Sequence, residues 1–478
     1  MMPDKLVFQK VLIANRGEVA TRVIRACQEL GIRTAAVFTE ADKHAMHVKK
    51  ADEAYLVSPS PVAGYLNVEQ ITDLAKAVGC DALHPGYGFL AENPDLPEAC
   101  ALRRITYIGP SARQIRAMGD KTLARQMMKR VGIPVIPGTE GNVASVEEAR
   151  TFAKAVGYPV MLKATTGGGG RGIRRCEDKR ALRENFDRAR SEAQSAFGRA
   201  EVFVEKAIDH ARHIEFQVLR DAHGHTVHLF ERDCSIQRRH QKLIEVAPSP
   251  ALDERLRARM GQAAINAAEA VDYLNAGTVE FLLAPDGRFY FLEMNTRLQV
   301  EHTITETITG RDIVQEQIRI AAGLPLSFKQ DEVGRRGVAM EFRINAEDPK
   351  EGFRPDVGRV TRYASPGGPG VRIDGFIYKD YEITPYFDSM CAKLTIWALD
   401  WDGAVRRALR ALHEYDIRGV KTTIPFFIRI VEHPDFRAGR FDTSFIDAHP
   451  ELLDYRDPLP MEERAAIVAA AIVAYHGL

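Results

Sequence analysis

The sequence predicts a mixed α/β (α+β) chain built from several domains. Three observations carry this. Strand and helix patterns alternate from residue 10 to about residue 119. A run of four glycines, Gly167-Gly168-Gly169-Gly170, is set between strand patterns. Two apolar runs, Thr278-Val279-Glu280-Phe281-Leu282-Leu283 and Phe289-Tyr290-Phe291-Leu292, flank Asp286-Gly287 as the arms of a hairpin. The 478 residues suffice for two to four domains with proper cores.

Val11-Leu12-Ile13-Ala14 reads as a strand. Val19, Val23, Ile24, Cys27 and Leu30 form a helical apolar stripe, and Thr34-Ala35-Ala36-Val37-Phe38 is the next strand. A βαβ opening of this kind predicts a parallel sheet. The connecting loop, Asn15-Arg16-Gly17, holds one glycine and is not the G-x-G-x-x-G of dinucleotide folds, which argues against NAD or FAD. His84-Pro85-Gly86-Tyr87-Gly88-Phe89 follows a strand; it is either a ligand-contacting loop of such a sheet or a plain turn.

Asp120-Lys121-Thr122 opens a helix running through Lys129. Pro159-Val160-Met161-Leu162-Lys163 is a buried strand ending in lysine. Ala164-Thr165-Thr166-Gly167-Gly168-Gly169-Gly170-Arg171-Gly172 follows it. The backbone N–H groups of such a loop can cradle phosphates. No Gly-Lys-Ser/Thr follows, so it is not a Walker A loop. It is either a linker or a mobile flap over phosphates, and Lys163 before it and Arg171 within it favour the flap. Val202-Phe203-Val204-Glu205-Lys206 is a strand turning into a linker, a common place for an adenine to bind through backbone groups. His213-Ile214-Glu215-Phe216-Gln217-Val218 alternates as a strand. The polar run from Glu231 to Lys242 is a basic surface patch or, with Asp233 and Glu245 beside it, an anion-substrate pocket. Cys234 reads as a small packed residue.

With Asp286-Gly287 as a two-residue loop, Glu280 falls opposite Glu293. Facing carboxylates repel. A divalent cation between them removes the objection, and Mg²⁺ uses one or two carboxylates plus substrate phosphates; the alternative is a solvated polar face. If the chain stays extended, Glu293, Asn295, Arg297, Gln299 and Glu301 share one face. Farther on, residues 337–347 are strand-like with Glu341, Arg343 and Asn345 on one face, and residues 402–415 are helical. A last helix starts near Met461 with acidic residues in its first turn. Its Ile467, Val468, Ala471, Ile472 and Tyr475 form an apolar stripe. This helix either packs back on its own domain or docks a partner.

Hydrophobic residues make up 45%, charged residues 27%, and the net charge is +0, which points to neither a nucleic-acid nor a membrane-surface partner. The six cysteines form no C-x-x-C pair, so zinc and redox motifs are not expected, and scattered thiols fit a reducing compartment. No signal peptide is evident and the tract 465–475 is too short to span a bilayer, so the cytoplasm is expected.

Ala14-Asn15-Arg16-Gly17-Glu18, His84-Pro85-Gly86-Tyr87-Gly88-Phe89, Arg238-Arg239-His240-Gln241-Lys242 and Asn295-Thr296-Arg297-Leu298-Gln299-Val300-Glu301-His302, taken in this order, resemble the biotin carboxylase family from about Lys10 to Leu453. The resemblance implies a Rossmann-like pre-ATP-grasp domain over 1–119. It implies an ATP-grasp domain over 120–336 with a glycine-rich lid at about 136–208, a C-terminal biotin carboxylase domain over 337–453, and a helical tail over 454–478. It implies carboxylation of biotin on a separate carrier protein, with ATP and bicarbonate as the other substrates. Lys121, Lys163, Gly168, Gly169, Glu205, Lys206, Ile208, His213, Gln237 and His240 resemble the ATP site. Glu280, Glu293 and Asn295 resemble the ligands of Mg²⁺ or Mn²⁺, two ions in all. Lys242, Arg297, Gln299 and Val300 resemble the bicarbonate pocket, Glu301 the base that deprotonates bicarbonate, and Arg343 the group that stabilises the biotin enolate; Tyr87 joins Arg343 at the biotin site. The flap has Thr165-Thr166 where many members have Ser-Gly, Ala91 replaces a commoner serine, and Pro369 stands where some dimeric members carry an aromatic. Arg22, Arg25 and Glu29 would sit at a homodimer interface made by the N- and C-terminal domains.

No Met-Lys-Met biotinylation site occurs and no carboxyltransferase-sized region follows Leu453. The chain is therefore expected to be one subunit working with a biotin carrier and carboxyltransferase partner. Residues 441–452 resemble pyruvate carboxylases, so the expected acceptor is a 2-oxoacid, pyruvate first, with acetyl-CoA as runner-up. Another ATP-grasp ligase and a non-catalytic nucleotide-binding scaffold are the competing readings; the strip from Arg297 to His302, with Lys242 and Arg343, argues against both.

Overall fold

A computed structural model describes residues 8–164, 173–197, 200–455 and 461–476. The expected glycine flap at 165–172, with Gly168, Gly169 and Arg171, lies outside the described residues.

The chain opens with β1 (Lys10–Ile13), α1 (Gly17–Glu29), β2 (Arg33–Thr39), β3 (Glu53–Ser58), β4 (Ala82–His84) and β5 (Thr106–Tyr107). The five strands form one parallel sheet, ordered β3-β2-β1-β4-β5. Val11, Leu12 and Ile13 are all fully buried, as a strand covered on both faces requires. The chain winds outward from β1 in both directions, so β1 and β4 flank the switch point, where ligand crevices form in such sheets. Asn15 closes that crevice: its amide donates to the carbonyls of Pro85, at 2.7 Å, and Tyr87, at 2.8 Å. Gly86, at φ +65°, permits this approach, because a Cβ there would meet the Asn15 amide at 2.8 Å.

Next comes α2 (Lys121–Arg130), capped by Asp120, which accepts the N–H groups of Thr122 and Leu123. Then α3 (Val146–Val156), β6 (Val160–Ala164), β7 (Ile173–Cys176), α4 (Lys179–Phe197) and β8 (Val202–Lys206) make a small unit. Its antiparallel sheet runs β7-β6-β8, and Leu182 and Phe186 of α4 join Val160 and Leu162 in one core.

The largest sheet is built from β9 (Arg212–Arg220), β10 (Thr226–Arg238), β11 (Gln241–Ala247), β12 (Asn275–Leu283), β13 (Phe289–Asn295), β14 (Val338–Asn345), β15 (Val371–Gly375) and β16 (Met390–Ala398). Its order is β13-β12-β9-β10-β11-β14-β16-β15, antiparallel throughout. The sheet passes without a break from β11 to β14, where Glu245 faces Glu341. Helices α5 (Glu254–Ala270), α6 (His302–Thr309) and α7 (Trp401–Glu414) pack on it.

The β12–β13 hairpin differs from the expected two-residue loop. Ala284 N–H reaches Arg288 C=O at 2.8 Å, leaving Pro285, Asp286 and Gly287 as a three-residue loop with Gly287 at φ +79°. That loop sets Phe281 opposite Phe291, a register in which Glu280 would face Leu292. A bulge at Leu292 moves the pairing by one, and Glu280 faces Glu293 after all.

The tail forms α8 (Met461–His476). Every side chain from 465 to 476 is exposed, including Ile467, Val468 and Ile472. Residues 465–475 are only Ala, Ile, Val and Tyr, so the apolar surface runs round the helix instead of forming one stripe, and it does not pack back on the body.

Candidate active site

A cavity of about 1420 Å³ lies between the loops after β1 and β4, the start of α2, β6, the β10–β11 hairpin, β13 and β14. Among the described residues, every site residue expected from sequence lines it except Glu205. The Glu205 carboxylate is buried behind the wall, where it holds Lys163 at 2.6 Å and Arg125 at 3.3 Å. Lys206, which follows it, donates to the carbonyls of Tyr158, at 2.9 Å, and Gly157, at 3.1 Å. Arg239 and His240 form the two-residue turn between β10 and β11, with φ of +49° and +65°. Such a hairpin needs left-handed residues, and non-glycine side chains there carry strain. The turn sets His240 on the cavity wall, so the polar run is a buried hairpin with an exposed tip, not a surface patch.

Glu280 is surrounded by donors. Its Oε1 accepts from Lys242 Nζ at 2.9 Å, Asn295 Nδ2 at 2.8 Å and Gln299 Nε2 at 2.8 Å; its Oε2 lies 2.7 Å from His213 Nε2. Glu293 meets Lys121 at 3.3 Å and keeps 30% of its side chain exposed. The two facing carboxylates are thus already balanced by Lys121, Lys242 and His213, so their juxtaposition does not itself require an ion. Their chemistry nonetheless fits one: Glu280 and Glu293 are hard oxygen donors on adjacent strands, and Glu293 still opens to the cavity. Asn295 Oδ1 accepts from Arg297 Nη2 at 3.2 Å and would become a ligand by releasing it.

Strand geometry ends at Asn295, and Glu301 is the residue that precedes α6. The expected strict alternation therefore fails, and Gln299, Val300 and Glu301 all reach the cavity. Lys242 Nζ stands at the centre, donating to Glu215 at 2.5 Å, Glu301 Oε1 at 2.7 Å and Glu280 at 2.9 Å. Arg343 bridges Glu245, at 2.5 Å, and Glu301 Oε2, at 2.9 Å. Burial pushes the Glu301 carboxyl up, but Lys242, Arg343 and Arg232 override it and hold the group well below the usual carboxylate range. Burial likewise pulls the Lys242 ammonium down, and Glu215, Glu280 and Glu301 more than reverse this. Glu245 goes the other way: burial, aided by Glu301 and opposed by Arg343, pushes it up to about 7.

Tyr87 donates its phenol to Glu18 beside the crevice. Arg297 pairs with Glu92 at 3.3 Å. Arg22 pairs with Glu306 at 2.9 Å and Asp312 at 2.7 Å, and with Arg25 and Glu29 it lines a shallow surface groove away from the cavity.

Sequence reasoning missed Arg232. It is fully buried and donates to Glu215, to Gln217 and Thr305, both at 2.9 Å, to Thr278 at 3.1 Å and to Gln299 Oε1 at 2.6 Å. It thereby orients Gln299 and the carboxylate that holds Lys242. The signal was present in β9: His213, Glu215 and Gln217 alternate with Ile214, Phe216 and Val218, and a polar face inside a sheet buried on both sides has to be satisfied by partners.

Among the described residues all six cysteines are buried and unpaired, and no helix is long and apolar enough to cross a membrane.

Residues 7–115 match the biotin carboxylase N-terminal domain, residues 120–329 the carbamoyl-phosphate synthase L chain ATP binding domain, and residues 341–448 the biotin carboxylase C-terminal domain. The chain is 52% identical over 472 residues to the 2-oxoglutarate carboxylase small subunit of Hydrogenobacter thermophilus, covering 99% of this chain and 100% of the relative. It is 51% identical to biotin carboxylase 1 of Bacillus subtilis, covering 93% of this chain and 99% of the relative. The crystal structure of the biotin carboxylase domain dimer of the Hydrogenobacter thermophilus enzyme, in complex with MgADP, ADP and bicarbonate, superposes with a TM-score of 0.92 at 52% identity. That match covers 94% of this chain and 99% of the other. With a two-winged sheet, a flap-bearing second unit and a carboxylate-lysine-arginine cavity between them, the chain belongs to the biotin carboxylase family of ATP-dependent ligases.

Proposed function

We propose that this chain carboxylates biotin on a separate carrier protein as the biotin carboxylase subunit of a 2-oxoacid carboxylase. The observation that carries the acceptor is the tail. The 2-oxoglutarate carboxylase small subunit matches 99% of the chain, which takes in α8, while the biotin carboxylase of Bacillus subtilis is matched almost whole yet covers only 93%. Helix α8 is apolar and exposed, which suits a site for the carboxyltransferase and carrier partner.

In this reading the adenine lies along the backbone of residues 205–208, and Lys121, Lys163, His213, Gln237 and His240 hold the nucleotide, with Gly168 and Gly169 over the phosphates. Glu280, Glu293 and Asn295 would hold Mg²⁺ or Mn²⁺, which supplies charge neutralisation at the phosphate oxygens. Bicarbonate binds among Lys242, Arg297, Gln299 and Val300. Glu301, ionised in the free protein, takes its proton, and the bicarbonate oxygen attacks the γ-phosphorus as ADP leaves. The carboxyphosphate so formed splits into CO₂ and phosphate. Phosphate removes the ureido proton of biotin, and the nitrogen attacks CO₂. Arg343, with Tyr87 nearby, stabilises the enolate oxygen; a guanidinium held by Glu245 is prepositioned for that charge.

We also propose the domain extents 1–119, 120–336 and 337–453 with a tail from 454. A homodimer would form over Arg22, Arg25 and Glu29, and the protein would work in the cytoplasm, in keeping with six unpaired thiols. The deciding experiment is purification of the native complex followed by carboxylation assays with pyruvate, 2-oxoglutarate and acetyl-CoA. A 2-oxoacid is the expected acceptor; activity with acetyl-CoA alone would overturn it and leave the biotin carboxylase assignment standing.

A further inference from the structure

We propose that Lys393 is a positioning residue for the bicarbonate step, holding the bend that carries Val300 and Glu301; this rests on the bicarbonate reading above. Lys393 lies on β16 and is fully buried. Its Nζ donates to the Val300 carbonyl at 2.8 Å and meets Glu18 Oε1 of α1 at 3.1 Å. The same Glu18 oxygen accepts the Tyr87 phenol.

The bend needs such a clamp. Ladder bonding stops at Asn295 and α6 starts at His302, so residues 296–300 belong to no regular element. Two successive carbonyls are nevertheless held: Gln299 C=O faces His302 Nδ1 at 2.7 Å, and Val300 C=O takes Lys393. A peptide unit is planar, so fixing the Val300 carbonyl also fixes the Glu301 N–H and the root of its side chain. Burying an ammonium is unfavourable without partners. Glu18 would suffice to balance the charge, yet the ammonium also reaches a backbone oxygen in the irregular bend. Burial pulls Lys393 down, but Glu18, Glu341 and Asp374 raise it overall, so it stays a cationic donor. Through this one side chain the bend is registered against α1 on one side and β16 on the other.

The test uses the full chain with free biotin, measuring KM for bicarbonate and for MgATP separately in Lys393→Met and in Glu18→Gln/Lys393→Met. The double variant leaves no carboxylate buried without its cation, and it decides the matter if the single variant does not fold. Glu301→Gln is measured in parallel. KM for bicarbonate should rise about tenfold, the scale of losing one hydrogen bond from a charged donor, with KM for MgATP unmoved. Two Michaelis constants rising together, or a parental KM for bicarbonate in the folded variants, would overturn the inference. If Glu301→Gln loses bicarbonate-dependent turnover while the Lys393 variants do not change, only the Lys393 role is wrong; if Glu301→Gln turns over normally, the underlying site reading falls and the inference with it.

Discussion

Replacing Glu301 by glutamine separates binding from chemistry at this site. The carboxylate is 2% exposed and sits between two cations, with Oε1 2.7 Å from Lys242 Nζ and Oε2 2.9 Å from Arg343 Nη2. Glutamine keeps the shape and removes the proton acceptor. Losing a general base costs roughly 10²–10⁴ in rate, which is about 2.7–5.5 kcal/mol of barrier. The fold should survive, because Lys242 keeps Glu215 and Glu280 and Arg343 keeps Glu245. The cavity gains one net positive charge, so an incoming anion is not repelled. The expected result is a split: turnover of bicarbonate-dependent ATP cleavage falls by roughly 10²–10⁴, while KM for bicarbonate does not rise and ATP binding persists. Steady-state ATPase assays over a bicarbonate series, with nucleotide binding measured by calorimetry, give both numbers. Near-parental turnover would show that the proton goes elsewhere, and a parallel loss of ATP binding would show that Glu301 serves the nucleotide instead.

Glu293→Gln should raise the concentration of Mg²⁺ or Mn²⁺ needed for ATP cleavage and slow the reaction, since it removes a hard oxygen donor that faces the cavity; a metal titration identical to the parent's rules this ligand out. Arg343→Ser should keep much of the bicarbonate-dependent ATPase and lose carboxyl transfer to biotin, and equal loss of both would move Arg343 to the nucleotide or bicarbonate. Glu245 supplies a pH signature. Its folded value, about 7, is raised above the ordinary 4.5. Its contribution to stability is therefore complete below about pH 4.5 and is lost as pH rises through about 7. Glu245→Gln should then gain in melting temperature relative to the parent between about pH 5 and pH 8; a constant difference across that window would contradict the raised value.

Much was legible in the chain because periodicity and short motifs are local properties. The βαβ opening, the strand before Lys163, the helix opened by Asp120 and the strand carrying Arg343 are all present. The tail helix forms as well, but its surroundings could not be read: eleven consecutive small or apolar residues specify a helix without saying what covers it. The hairpin shows how a correct pairing can rest on a wrong count. Glu280 faces Glu293 only because a three-residue loop and a bulge at Leu292 offset each other, and bulges answer to neighbouring strands rather than to the turn.

By itself the sequence determined the chemistry available: which carboxylates, lysines, arginines and amides exist, and which lie on the same strand or loop. The tertiary structure alone decided how they are wired. Arg232 meets Gln299, Lys242 meets Glu301, Arg343 meets Glu245 and Lys393 meets Val300 across sequence separations of 67, 59, 98 and 93 residues. The reason is electrostatic. Each of these charges is buried, a buried charge must find an opposite charge or a polar backbone group, and the sheet order, not the spacing along the chain, determines which partner is within reach.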